Sequence, residues 1–255
     1  MRNRQEIRSV RIKTLGQKRE EAFELDRLRH YAGYERPEGI PGRVTAQHKE
    51  RYELVCEYGM IHARVKPKAY YGGTEPFPTV GDYVMVNYVG SGDSLILSTL
   101  PRRTFFSRRE PGPIPRDQAV AANFDYVFIL QSMNRDFNPK RLERYLTVSW
   151  QSGATPVVLL TKADLTEDPG LYLARAERVA AGAAVHGVSA CTGAGLDALA
   201  PYLQPGKTLV FLGSSGVGNP VWSTPWPGRR SWPWAASGKE TTGDAIPPPI
   251  ASFSA

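Results

Sequence analysis

Between Arg43 and about Leu100, apolar and polar positions alternate with a period of two, the mark of strands that bury one face. Arg51–Glu57 and Met60–Val65 alternate on either side of Tyr58-Gly59, which predicts a hairpin. Val80–Val89 reads as a long strand, and Ser94–Ser98 closes the set after Ser91-Gly92-Asp93. Short strands packed this densely predict a small barrel, and the five-stranded OB-fold is a common RNA-binding form of one. A small β-domain without that role fits the alternation equally.

The rhythm then changes. Pro111, Gly112, Pro113 and Pro115 mark residues 108–120 as a linker. Beyond it, Asp125–Leu130, Pro156–Leu160 and Thr208–Leu212 are nearly continuous apolar runs, as in strands buried on both faces. Between them lie helical stretches. Asn138 with Pro139 predicts a capped helix start, and Leu142, Tyr145, Leu146 and Ser149 trace one face. A second helix is expected near 171–181, a strand near 184–189 and a short helix at 196–203. Strands alternating with helices predict a parallel α/β sheet. The expected organisation is thus a loosely ordered basic segment (1–42), with one short helix near Arg19–Arg29 and breaks at Gly33, Pro37, Gly39, Pro41 and Gly42. A barrel (43–107), the linker, an α/β domain (121–218) and a tail (219–255) follow. The tail carries four of the five tryptophans and seven prolines with no periodicity, and is expected to be unstructured.

Composition narrows the classes. The chain has 255 residues, a net charge of +7 and no apolar run long enough to span a membrane. Its N-terminus has charge without a following apolar region, so it is not a secretory signal, and a cytoplasmic protein is expected. Two distant cysteines, Cys56 and Cys191, give neither a disulfide framework nor metal-ligand spacing. Ten Lys or Arg lie within residues 1–38. A second cluster, Arg102, Arg103, Arg108 and Arg109, is interleaved with Phe105 and Phe106, which fits either RNA contact or a solvated basic surface.

Three motifs carry chemistry. Gly213-Ser214-Ser215-Gly216-Val217-Gly218 follows a strand directly, the context in which backbone N–H groups curl around phosphates. Thr161-Lys162-Ala163-Asp164 follows another strand; the Asp carboxylate of such a motif accepts the N1 and N2 donors of guanine, a pair adenine lacks. Ser189-Ala190, with Cys191-Thr192-Gly193, fits a loop whose backbone reaches the guanine O6. In ordinary GTPases the phosphate loop precedes the base readers; here it follows them, a circular permutation.

With its barrel in front, the chain resembles the RsgA (YjeQ) family of small-subunit assembly GTPases over about residues 40–218. Further supporting stretches are Gly42–Val44, Val80–Val84, Leu100–Arg103, Ala121–Asp125 and Arg141–Leu146. The resemblance implies an OB-fold touching ribosomal RNA, a permuted GTPase domain binding GTP or GDP with Mg²⁺, and a C-terminal zinc domain. It also implies weak intrinsic GTP hydrolysis stimulated by the small ribosomal subunit, and a monomer is expected.

The chain departs from that pattern after Gly218. Asn219 and Pro220 stand where the loop needs Lys and Ser, and no Cys or His follows Cys191 to bind zinc. Codons for Asn219–Gly228, read one base earlier, can spell E-S-S-L-V-N-A-L-A-G, and restoring one A gives G-K-S-S-L-V-N-A-L-A-G, a complete loop entering a helix. The same frame can turn Asp244–Ala251 into a threonine-rich switch. The expectation is a one-base deletion near codon 219, which resequencing tests. A truncated G-domain with negligible hydrolysis should follow, its sheet edge left open. A non-enzymatic rRNA-binding module with an inert G-domain remnant is the alternative. No catalytic residue emerges.

Overall fold

A computed structural model describes residues 10–14, 39–48, 51–72, 76–109, 117–180, 182–204 and 206–213. The chain forms two compact units that divide between Phe124 and Asp125, except that strand β1 (Val10–Thr14) belongs with the second. The expected helix at Arg19–Arg29, the loop from Ser214 onward and the tail lie outside the described residues.

The first unit is a closed barrel of β2 (Ile40–His48), β3 (Arg51–Cys56), β4 (Gly59–Val65), β5 (Tyr83–Asn87) and β6 (Ser94–Thr99), in the order β2-β3-β4-β6-β5. β2 closes on β5, and only the β4–β6 pair is parallel. This is the OB topology. Val44, Tyr52, Leu54, Ala63, Val65, Val84, Val86 and Ile96 fill the interior, as the alternation requires. The strand expected from Val80 starts later, at Tyr83, because Thr79–Asp82 is a turn closed by Asp82 N–H to the Thr79 carbonyl. Pro41 and Gly42 do not break the chain but sit inside β2. A one-turn helix, α1 (Pro67–Tyr70), interrupts the otherwise all-β unit.

β7 (Phe105–Arg109) and β8 (Asp117–Ala122) pair antiparallel, so both ends of the segment 108–120, expected as a linker, are strand. Ala121 and Ala122 face Phe106 and Phe105, so the first unit runs to Phe124 rather than ending before residue 108. Gly81, at φ +94°, lies so close to Ala122 that a Cβ would stand 2.0 Å from its carbonyl oxygen; only glycine fits.

The second unit is a sheet in the order β1-β12-β9-β10-β11. β9 (Tyr126–Ser132), β10 (Thr155–Thr161), β11 (Ala184–Gly187) and β12 (Thr208–Gly213) are mutually parallel. The apolar runs are the central strands, as their pattern predicts: Val127–Leu130 and Val157–Leu160 are fully buried. One face packs Phe128, Leu130, Val157, Leu159, Leu209 and Phe211 on Leu196 and Leu199 of a 3-10 helix, Leu196–Tyr202. α2 (Pro139–Gln151) packs against β9 and β10 with Leu142, Tyr145, Leu146 and Ser149 buried. Its first turn is capped by Asn138, whose Oδ1 accepts the Arg141 N–H at 3.1 Å. α3 (Pro169–Glu177) is capped likewise by Asp168.

The edge of β12 expected to lie open is paired. β1 runs antiparallel along it, with Val10 opposite Leu212 and Thr14 opposite Thr208. An edge strand presents unmatched N–H and C=O groups, and an extended apolar-alternating segment of the same chain satisfies them.

Candidate nucleotide site and barrel surface

Parallel strands place their C-terminal ends at one edge, where ligands of open α/β sheets bind. That edge here collects Ser132, Thr161, Gly187 and Gly213. The Thr161–Asp164 and Ser189–Ala190 loops leave adjacent strands, β10 and β11. Gly213 ends β12, two strands from β10 with β9 between, a separation of about 10 Å at ordinary strand spacing. Gly213 therefore sits at the same edge of the sheet as the other two loops; Ser214, Ser215, Gly216, Val217, Gly218, Asn219 and Pro220 lie outside the described residues.

Thr161 is buried, and its Oγ1 donates to the Gln131 carbonyl at 3.3 Å, stitching β10 to β9. The Met133 N–H returns a bond to the Thr161 carbonyl at 2.8 Å. Lys162 then adopts left-handed backbone, φ 61° and ψ 37°, a conformation that costs a side-chain-bearing residue about 1–3 kcal/mol. Such strain marks functional turns. It swings the chain into a single 3-10 turn, Ala163–Leu165, that presents Asp164 to solvent. The Ala163 N–H donates to the Val188 carbonyl at 3.2 Å, so the first loop is tied directly to the second.

The second loop closes on Ser189. Its Oγ accepts the Thr192 N–H at 3.1 Å, its N–H donates to the Ala194 carbonyl and its carbonyl accepts the Gly193 N–H. Ala190 is carried at the start of this ring, with Cys191 exposed beyond it. Gly195, at φ +74°, lets the ring pack on β11; a Cβ there would stand 2.0 Å from the Gly187 carbonyl oxygen.

Sequence reading missed the group that shapes the rim beside β9. Gln131, wholly buried, accepts the Asn138 N–H with Oε1 and donates Nε2 to the Asn138 carbonyl. Asn134 gathers the Ser132 hydroxyl and the Asp136 N–H on its Oδ1. A glutamine inside an otherwise apolar strand was the available signal. Asp125 plays the same part at the opposite end of the sheet, its Oδ2 accepting the Thr208 N–H at 2.9 Å and its Oδ1 facing Lys207 Nζ at 3.5 Å.

The barrel carries the second candidate surface, and here one sequence expectation is reassigned. Arg102 is not a surface cation. Its Nε and Nη2 grip the two Asp82 carboxylate oxygens at 2.8 and 2.7 Å, with Asp82 wholly buried. Burial pushes the Asp82 carboxyl up, while Arg102, the Thr79 N–H and the Arg43 charge pull it down. Arg43 is also buried and donates to the Asn123 carbonyl at 3.0 Å. Asn123 accepts the Arg103 N–H and donates to the Gly81 carbonyl. Arg43, Gly81, Asp82, Arg102, the Arg103 N–H and Asn123 thus meet in one polar network within the first unit. Of the expected arginine cluster, Arg103 is exposed; Arg108 and Arg109 lie in β7, paired with Gln118 and Asp117. On the outer side of β3 and β4, Arg51 and Arg64 share Asp93 at 2.8 Å each. Tyr58 and Tyr88, 59% and 37% exposed, stack with ring centroids 4.4 Å apart.

Among the described residues no group of His, Cys, Asp or Glu is arranged to hold a metal. The position that would offer Mg²⁺ a hydroxyl holds Pro220, which has neither hydroxyl nor N–H, so the residues present do not fit that ion. No helix among the described residues is long and apolar enough to cross a membrane.

Comparisons agree with this geometry. The family model described as RsgA GTPase matches residues 99–221, which include Thr161–Asp164, Ser189–Ala190 and the glycine-rich segment. A curated relative from Listeria monocytogenes, named small ribosomal subunit biogenesis GTPase RsgA 1, is 47% identical over 178 residues, covering 69% of this chain and 50% of the relative. A protein from Methanosarcina acetivorans, named small ribosomal subunit biogenesis GTPase RsgA, is 39% identical over 180 residues, 70% of this chain and 48% of its own length. The chain spans about half the length of these curated relatives. Two crystal structures share the fold. YjeQ from Thermotoga maritima matches at 22% identity and a TM-score of 0.57, over 71% of this chain and 63% of that one. YloQ, described as a circularly permuted GTPase, matches at 24% identity and 0.54, over 74% and 65%. Barrel, motif order, family model and relatives converge on one likeness: residues 99–221 match the RsgA GTPase family model, and 178 residues align at 47% identity with a curated RsgA protein.

Proposed function

We propose that this chain is a guanine-nucleotide-binding factor of small ribosomal subunit maturation. In this reading it acts in the cytoplasm as a monomer and contacts ribosomal RNA through its barrel. The observation that carries the nucleotide reading is the Ala163 N–H to Val188 carbonyl bond, which joins the Asp164 and Ala190 loops into one rim. Asp164 accepts the N1–H and N2–H donors of guanine, the Lys162 stem covers the base, and the backbone at Ala190 meets O6. Gly213–Gly218 receives the phosphates from the end of β12, two strands from β10. On the barrel, Arg51, Arg64, Arg103 and the Tyr58–Tyr88 stack supply the cations and ring faces that RNA contact requires.

With Asn219 and Pro220 in place of the loop Lys and Ser, nucleotide is held weakly and turnover is negligible. Each missing charge-assisted contact is worth about 1.5–3 kcal/mol. The same two residues favour a second reading, in which the barrel binds rRNA and the G-domain is inert. Filter binding of 16S rRNA with and without GDP separates them. RNA retention that responds to GDP supports the first reading; retention indifferent to any guanine nucleotide supports the second.

A further inference from the structure

β12 is the strand that delivers Gly213, and every residue of it is buried. β9 covers one of its edges and β1 the other. The pairing is remote in sequence, with Ile12 opposite Val210, so it closes a very long loop. Loop closure makes such a contact entropically costly and hence open to competition. Along β1 the register alternates Val10, Ile12 and Thr14 with Arg11 and Lys13. The uncovered edge of a buried strand recruits other strands, as in β-augmentation.

We propose that the outer edge of β12 is a strand-acceptor site whose occupant is the chain's own Val10–Thr14 segment. When that segment is prevented from pairing, the same edge joins its counterpart on a second copy of the chain, antiparallel about a two-fold axis. The N-terminal strand thereby sets the association state of the protein and supports the strand that ends at Gly213. This holds whether or not the neighbouring rim binds a nucleotide.

Two experiments on the full chain test it. In a Cys191→Ser background, Ile12→Cys with Val210→Cys places the two thiols on directly opposed positions, with Cβ atoms about 5 Å apart and within disulfide reach. Thr14→Cys with Leu212→Cys, about 13 Å out of register, is the control. Under oxidised glutathione the opposed pair forms an intramolecular disulfide in at least about 10-fold higher yield than the control. Equal yields, or cross-linking only between chains, overturn the proposal. The second variant, Arg11→Pro/Ile12→Pro, removes whichever N–H of the two faces β12. Light scattering should show it moving from monomer to dimer. A synthetic peptide of residues 6–18 restores the monomer, and the same peptide with both prolines does not. A variant that stays monomeric, or a dimer indifferent to the peptide, contradicts the proposal.

Discussion

Arg102 grips Asp82 with two parallel hydrogen bonds, Nε to Oδ1 at 2.8 Å and Nη2 to Oδ2 at 2.7 Å, inside the barrel unit. The sequence shows Arg102 and Arg103 as one basic pair; the fold gives them opposite fates. Arg102→Ala leaves the buried Asp82 without its main counter-charge and should destabilise the barrel by about 3–5 kcal/mol. Arg103→Ala should change stability by less than about 0.5 kcal/mol while weakening RNA retention. Urea denaturation followed by barrel-tyrosine fluorescence, beside filter binding, separates the two effects.

Lys162 occupies left-handed backbone at φ 61°. Lys162→Gly relieves that conformation and should leave stability unchanged or raise it by up to about 1 kcal/mol. The same change removes the stem proposed to cover the base, so guanine-nucleotide affinity should fall. Loss of both stability and affinity would mean Lys162 is only a structural residue. Thermal melting and equilibrium binding on one preparation decide it.

His186 Nε2 lies 3.1 Å from the Tyr202 hydroxyl, and burial holds its pKa below the ordinary 6.5. The folded chain keeps the ring neutral where the unfolded chain protonates it. Stability from this site is therefore complete above about pH 6.5 and declines as pH falls from there through the lowered folded pKa. His186→Gln removes the titration. The melting temperature of the parent chain should drop more between pH 7 and 5 than that of the variant.

Much of this architecture was legible beforehand, for identifiable reasons. The Asn138 cap and the Leu142, Tyr145, Leu146, Ser149 face were readable because the helix period and its capping residue agree. The barrel strands were readable because each buries one face. The motif order was readable because Thr161–Asp164 and Ser189–Ala190 immediately follow apolar runs. The role of Arg102 was not, because its partner Asp82 lies 20 residues away and a charge pattern does not reveal burial. β1 was not, because Val10–Thr14 is short and embedded in basic residues, and its pairing depends on an edge nearly two hundred residues away. Pro41 and Gly42 suggested a break but lie in β2, where the strand pairs with both β3 and β5.

The proposed phosphate loop invites a direct repair. Asn219→Lys with Pro220→Ser restores a cation, a hydroxyl and a backbone N–H. At about 1.5–3 kcal/mol per charge-assisted contact, GDP affinity should rise by at least ~10-fold. An unchanged dissociation constant by calorimetry would show that these two positions do not limit binding.

The central claim, a guanine-reading rim built on Asp164, is tested most directly in that repaired chain by measuring GDP, ADP and XDP binding before and after Asp164→Asn. In the proposed site Asp164 accepts two hydrogens from guanine; Asn in its place would offer a donor that suits the xanthine carbonyl. The account predicts GDP favoured over ADP by at least ~100-fold, about 2.7 kcal/mol, with preference passing to XDP in the variant. Equal affinity for ADP, or a variant that binds GDP as tightly as its parent, would contradict it.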